Sequence, residues 1–166
     1  MPSPLDAIVD LGTERLAFSV GIMLRPNAWR AHQNPWGLRW SRPRRWSPTR
    51  HRRVPNVPGL YAFSVIPEAQ GCPPGEYVLY VGKAERQTLA ERYRQYVREA
   101  AGAPDARIHI YNMFKRWGDH LWYRFATASP SQVDAAERAI REALEPPMNR
   151  DFSIELNAAG RAFGRL

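Results

Sequence analysis

The sequence predicts a small α/β sandwich: a three-stranded sheet flanked by helices, preceded by an extension rich in arginine and tryptophan. Three observations lead there. Short apolar runs rich in aromatic and aliphatic residues stand at Gly59 to Val65, Tyr77 to Val81 and Leu121 to Thr127, each with the look of a strand. Three other segments repeat their apolar residues at helical spacing. The stretch from Pro26 to Pro58 does neither, and its many prolines argue against long regular elements.

Taken in order, the chain begins with a short helical pattern from Leu5 to Leu11. An apolar run from Leu16 to Leu24 then reads as a candidate strand. From Pro26 to Pro58 the composition is Pro, Arg and Trp, with Trp29, Trp36, Trp40 and Trp46. This stretch is either an ordered extension whose tryptophans dock on the core or an arm that orders on nucleic acid. In the first confident strand, Leu60, Ala62 and Ser64 share one face and Tyr61, Phe63 and Val65 the other. The loop Pro67 to Gly75 returns the chain to the second strand, antiparallel to the first. Leu89 to Ala100 is a helix with Leu89, Tyr93, Tyr96, Val97 and Ala100 as its apolar stripe. Gly102 and Pro104 end it. Arg107 to Trp117 is the next helix, with Ile110, Met113, Phe114 and Trp117 inward and Gly118 as its stop. After the third strand, Ser129 is the N-cap of a last helix, with Pro130 at its first position and Gln132 completing a capping box. Pro146-Pro147 stops it. The order is β-β-α-α-β-α. The organisation read from this is an extension (1–55), a core domain (56–152) and a tail (153–166).

Of 166 residues, 24 are basic and 16 acidic, a net charge of +8. The excess is local: residues 1–58 hold ten arginines against three acids, and Arg25 to Arg53 contains nine arginines and no acid. Such a block faces a polyanion, because neutralised phosphates release counterions. Arg42, Arg44 and Arg45 in this block, with Arg94 and Arg98 on the first long helix, are the candidate contacts to nucleic acid. No apolar run reaches the length of a membrane span. Asp6, Asp10 and Glu14 stand where a signal peptide carries positive charge, so a cytoplasmic location is expected. The single cysteine, Cys72, has no internal disulfide partner and no neighbours at metal-ligand spacing. The four histidines are scattered, and none is assigned a role.

Glu137 is the residue that chemistry singles out. It lies four after Val133, three before Ile140 and seven before Leu144, on the apolar stripe of its helix. An inward carboxylate needs a cation, hydrogen-bond donors or a metal. Glu142 and Glu145 fall off this stripe and read as solvated. Arg92 lies at the edge of its own helix's stripe and either pairs with Glu137 or binds phosphate. Tyr61 and Tyr80 are ordinary strand residues when taken singly.

Taken together, these residues are more specific. Gly59-Leu60-Tyr61 is followed by Tyr80-Val81-Gly82-Lys83, then by Arg92 with Tyr96 four residues on. Glu137 comes next, and twelve residues later Asn149 follows Pro146-Pro147-Met148. In this order the set resembles the GIY-YIG nuclease superfamily over about residues 57–151. The resemblance implies a GIY-YIG-like sandwich and a metal-dependent endonuclease acting on a phosphodiester, most readily of DNA. It implies that Tyr61 activates the attacking water, Tyr80 positions, Arg92 stabilises the phosphorane, Glu137 holds one divalent ion (Mg2+ or Mn2+) and Asn149 braces the site. Lys83 and Tyr96 match positions that assist in some branches. Leu60 and Val81 replace the middle isoleucines, and the segment between Tyr61 and Tyr80 is longer than in compact members. A tyrosine with an ordinary pKa of about 10 is a weak base at neutral pH, so a cation such as Lys83 or the metal is expected to lower it. The alternatives are a non-cleaving nucleic-acid binder of the same fold and a module whose arginines contact an acidic protein.

Overall fold

The computed structural model describes residues 18–149 except residue 72. The Leu5 to Leu11 helix, the start of the Leu16 to Leu24 run, Cys72 and the 153–166 tail lie outside the described residues. The elements are α1 (Pro26–Ala31), β1 (Arg44–Arg45), a 3₁₀ turn (Pro48–Arg53), β2 (Gly59–Val65), β3 (Tyr77–Ala84), α2 (Leu89–Ala100), α3 (Ile108–Trp117), a second 3₁₀ turn (Gly118–His120), β4 (Leu121–Thr127) and α4 (Pro130–Leu144).

The sheet is antiparallel, four-stranded rather than three-stranded, in the order β1-β4-β2-β3. The extra strand is only Arg44–Arg45, paired to Tyr123 and Trp122 of β4. Two residues beside Pro43 carry no readable period, and an edge is where a neighbouring proline is tolerated. The expected strand in the Leu16 to Leu24 run does not form among its described residues, since 19–24 are irregular.

Strand alternation builds two cores. Tyr61 and Phe63 of β2 enter the larger one with Leu89, Tyr93 and Tyr96 of α2 and Ile110, Met113, Phe114 and Trp117 of α3. Leu60 and Ala62 face the other way, with Val81 of β3 and Ala136 and Ile140 of α4. The sheet is therefore covered by α2 and α3 on one side and by α4 on the other. A β-bulge interrupts the pairing: Phe63 faces Tyr80, but Ser64 faces Val78. The extra residue is Leu79, and the bulge turns both Leu79 and Tyr80 toward the larger core.

The N-terminal segment is part of this packing. Trp46 sits against Tyr93, Phe114 and Phe63, with ring centroids 4.5, 4.7 and 5.5 Å away. Tyr93 donates to the Ser47 carbonyl at 2.8 Å. Trp36 and Trp40 pack on the smaller core, while Trp29 stays exposed. Among the described residues no helix is long and apolar enough to cross a membrane.

Helix ends differ in chemistry from the expectation. Ser129 has N-cap backbone geometry with Pro130 behind it, but its side chain caps nothing and lies near the Ser131 hydroxyl instead. The capping box belongs to α2: Thr88 Oγ1 accepts from the Glu91 N–H, and Glu91 Oε2 accepts from the Thr88 N–H at 2.7 Å. The Thr88 N–H and the Thr88 hydroxyl both donate to the Glu91 carboxyl and hold it below its ordinary range. Gly118 keeps a right-handed backbone and leads into a 3₁₀ turn. α4 stops because Glu145 adopts a left-handed conformation (φ 42°) before Pro146. Contrary to expectation Glu145 is not solvated. Its carboxylate pairs with Arg25, which also donates to the Glu142 carbonyl at 3.0 Å, tying the start of α1 to the end of α4.

Among the described residues, the buried indole nitrogens of Trp117 and Trp122 and the hydroxyl of Tyr123 are left over. The Tyr123 hydroxyl lies inside the larger core without a hydrogen-bond partner, and burial pushes its phenol well up. An unsatisfied buried hydroxyl costs roughly 1–3 kcal/mol. Tyr123→Phe is therefore expected to leave the urea-unfolding free energy unchanged or raise it; a loss above about 1 kcal/mol would mean that the hydroxyl has a partner.

Candidate active site

The site begins with two glycines. Tyr61 and Gly82 are cross-strand partners in β2 and β3. A Cβ on Gly82 would lie 2.4 Å from the Tyr61 hydroxyl and 2.6 Å from Cζ, so the phenol rests on bare backbone. Gly59 is equally constrained: a Cβ there would meet the Ala126 carbonyl oxygen of β4 at 2.3 Å. The first glycine closes the β2–β4 contact next to Tyr61. The second lets the Tyr61 ring cross β3.

Where that ring ends, α2 supplies partners. The Tyr61 hydroxyl is 2.7 Å from the Tyr96 hydroxyl and accepts from Arg92 Nε at 3.1 Å. Arg92 Nη1 donates to Gln95 Oε1 at 2.8 Å, and Gln95 is held in turn by Gln87. Residues 92, 95 and 96 share the helix face that looks onto this hydroxyl pair. Tyr80 stacks beside Tyr61 with ring centroids 6.3 Å apart. A second guanidinium closes the cluster: Arg107, from the start of α3, lies 5.4 Å from the Tyr96 ring centroid, and Arg92 lies 5.5 Å from it. Arg107 is anchored to Glu99 through Nε and Nη2, each at 3.1 Å.

Burial dominates the electrostatics. It pushes the Tyr61 phenol far up, with Tyr80 adding to the rise and Arg92 and Tyr96 only partly opposing it. Tyr96 is raised well above its ordinary value by burial and by its tyrosine neighbours. For Arg92, burial lowers the pKa, but Tyr61 and Tyr96 outweigh it and the net shift is upward; nearby Arg107 opposes that rise.

The remaining candidates lie on the other face of β3. Val81 and Lys83 alternate with Tyr80 and Gly82 and face α4. Lys83 forms an ion pair with Asp134 and lies 3.6 Å from Glu85. Its pKa is raised, chiefly by the hydrogen bond to Asp134, with smaller help from Asp134, Glu137 and Glu85 charge. The cation on Tyr61 is thus Arg92 and not Lys83. Glu137 is buried, as its place on the stripe demands, and its Oε1 accepts from Arg141 Nη1 at 3.1 Å, one turn along α4. Its ion pair is with Arg141 rather than Arg92. Asn149 is buried against the outer edge of β3: its Oδ1 accepts from the Val81 N–H at 2.9 Å, and its Nδ2 donates to the Val81 carbonyl at 2.7 Å. The amide imitates one rung of a neighbouring strand, and the Met148 N–H adds a bond to the Leu79 carbonyl.

The structure therefore brings Tyr61, Tyr80, Arg92 and Tyr96 into one cluster. Lys83 and Glu137 gather around Asp134 across the strand, and Asn149 sits at the edge between the two groups. Sequence reasoning missed Asp134, Arg141, Gln95 and Arg107. Asp134 and Arg141 flank Glu137 at helical spacings of three and four, a signal present in the sequence. Arg107 carries none, because its position depends on how α3 packs on α2.

The proposed nucleic-acid contacts divide. Arg42 and Arg94 are exposed. Arg98 pairs with Asp105 at 3.2 Å. Arg44 donates to the Arg53 carbonyl at 3.0 Å and lies over Phe125. Arg45 pairs with Glu68, donates to the Asp119 carbonyl and lies over Trp122, so part of its role is to hold the extension on β4.

Comparison of the chain with family profiles, characterised proteins and solved structures gives no match. The likeness to GIY-YIG nucleases rests on the motif residues themselves.

Gly82→Ala is expected to displace the Tyr61 phenol and to cost about 1–3 kcal/mol, the scale of overpacking a filled core. Urea unfolding measures the cost. Loss of the Arg92 Nε–H signal's dependence on Tyr61→Phe in the Gly82→Ala background reports the displacement. Wild-type stability with an intact Tyr61–Arg92 bond would remove the steric reason for that glycine.

Proposed function

We propose that the chain is a metal-dependent endonuclease of the GIY-YIG type that hydrolyses phosphodiester bonds, most readily in DNA. The observation that carries this reading is the Tyr61 hydroxyl held between Arg92 and Tyr96 above the bare backbone of Gly82. A phenol that accepts from a guanidinium has its developing negative charge stabilised in place. The arginine that steadies it is also the donor best placed to steady an anionic phosphorus centre.

In this reading the Tyr61 oxygen takes the proton of the attacking water. Arg92 binds a non-bridging oxygen with the donors that Tyr61 and Gln95 leave over. Tyr80 and Tyr96 fix the Tyr61 ring and hydroxyl. Asn149 keeps β3, and with it Gly82, in register. Glu137 is the carboxylate that fits a divalent ion. A single carboxylate completed by water and phosphate oxygens suits Mg2+ or Mn2+. Such an ion, when bound, neutralises phosphate charge and helps the leaving oxygen depart. Arg141 is the residue that Glu137 must share or release to hold it. The exposed arginines of the N-terminal segment keep nucleic acid near the site.

A second reading, a nucleic-acid binder without cleavage, is favoured by two observations: the Tyr61 phenol is fully buried and Glu137 is committed to Arg141. Incubation with single-stranded DNA, duplex DNA and RNA, in Mg2+, Mn2+ or EDTA, separates the two.

Glu137→Ala is expected to abolish metal-dependent cleavage with the fold intact; near-wild-type cleavage in Mg2+ excludes it as the metal ligand. Tyr61→Phe and Arg92→Ala are each expected to slow cleavage by at least ~10²-fold with little change in DNA binding. Full activity of Tyr61→Phe would take the base role from this residue.

The pH dependence follows from the burial of Tyr61. Its pKa is raised, so the basic phenolate is the minor form at neutral pH and gains population as pH rises. Cleavage at saturating metal is therefore expected to climb with pH and to show no plateau below about pH 10, the ordinary tyrosine value. A plateau between pH 6 and pH 8 would assign the base to a different group.

A further inference from the structure

We propose that Arg107 and Arg92 together form a two-guanidinium clamp for a phosphate oxyanion, beside the Tyr61–Tyr96 hydroxyl pair. This rests on the reading of the Tyr61 cluster as a phosphodiester site and adds to it a binding residue from a different helix.

The geometry supports a shared ligand. Arg92 and Arg107 approach the Tyr96 ring to 5.5 and 5.4 Å, so two cations from different helices converge on one fully buried tyrosine. Neither is exhausted by its partners. Arg92 spends Nε on Tyr61 and Nη1 on Gln95, which leaves Nη2. Arg107 spends Nε and Nη2 on Glu99 and also interacts with the Tyr96 hydroxyl, so Nη1 is its one nitrogen without a carboxylate partner. Each remaining nitrogen carries two donor hydrogens. Glu99 pairs with Arg107, so two positive charges meet one negative charge and the cluster keeps a net +1. Each guanidinium disfavours the charge of the other, and an anion seated between them relieves that repulsion. A polar cleft of about 250 Å³, lined by Gln95, Arg98, Glu99 and Asp105, is walled in part by the residues that anchor the two guanidiniums, Gln95 and Glu99.

Arginine suits this task better than lysine, because its planar fork matches phosphate oxygens at two points. Glu99 holds the Arg107 fork in place before a ligand arrives, and Gln95 does the same for Arg92. Arg92 is then the group nearer the Tyr61 oxygen. Arg107 reaches the same phosphate, or the one next to it, from the α3 side.

The test uses the full chain in EDTA, so that binding is read without turnover. Inorganic phosphate is titrated at constant ionic strength while the arginine side-chain N–H signals are followed by NMR. The Nε–H signals of Arg92 and Arg107 are expected to shift together and to saturate. Arg107→Gln is expected to weaken the phosphate titration at Arg92 by at least ~10-fold, the scale of a lost charged hydrogen bond. The double variant Glu99→Gln/Arg107→Gln leaves no stranded carboxylate and is expected to show the same weakening. The clamp is overturned if the Arg107 signal does not move, if Arg107→Gln titrates like the wild type, or if the double variant recovers wild-type affinity. Failure of the nuclease reading looks different. Saturable phosphate binding at both arginines with no cleavage of DNA or RNA in Mg2+ keeps the clamp and removes the catalysis. Cleavage with unchanged kcat and KM in Arg107→Gln keeps the catalysis and removes the clamp.

Discussion

A tyrosine ring can lie across a neighbouring strand only where that strand has no side chain. The contact of Tyr61 with Gly82 meets this condition, and the rest of the site is arranged around it. Because the ring crosses β3, its hydroxyl emerges beside α2, where Arg92, Gln95 and Tyr96 occupy consecutive turns of one face. β3 is also an edge strand and would slip or fray without a neighbour. Asn149 and the Met148 N–H supply that neighbour on the open side. The bulge at Leu79 finishes the alignment by turning Tyr80 toward Tyr61.

The same strand divides the chemistry in two. Side chains alternate across it, so the tyrosine–arginine cluster and the carboxylates of α4 occupy opposite faces. Lys83 belongs with Asp134 and Glu137, and Arg92 belongs with Tyr61. The ion pairs on the α4 face make Glu137 a carboxylate with a partner already in place. An inward carboxylate has to be neutralised, and Arg141 at i+4 is the nearest means.

Of the two alternatives that the sequence presents for the N-terminal segment, its described part takes the first and docks on the core. Trp46 fills the larger core against Tyr93, Phe63 and Phe114, and Arg44–Arg45 extend the sheet. These contacts fix the segment to β4 and use part of its charge: Arg45 is held by Glu68 and Asp119, and Arg25 by Glu145. Arg42 is among the arginines left exposed.

The sequence alone determined the β2, α2 and β4 boundaries, the inward residues of α3 and the burial of Glu137, because strand and helix periods are local properties. It also determined which residues of β2 face which core. The four-stranded sheet was not legible, since a two-residue strand has no period and exists only because β4 offers it an edge. Nor was the capping box legible at Ser129-Gln132, where the sequence pattern is present and the side-chain bonds are not; Thr88–Glu91 has both. The partners of Lys83 and Arg107 were decided by tertiary structure, whereas Arg141, the partner of Glu137, stands at i+4 in the chain. An ion pair between elements depends on which of them meet in the fold, and neither spacing nor composition specifies that. The motif residues could be named from the chain. That Tyr61 is gripped by Arg92 and Tyr96, while Glu137 stands on the far face of β3, follows from the fold: a bare glycine lets one ring cross the strand, and alternation sends the next side chain the other way.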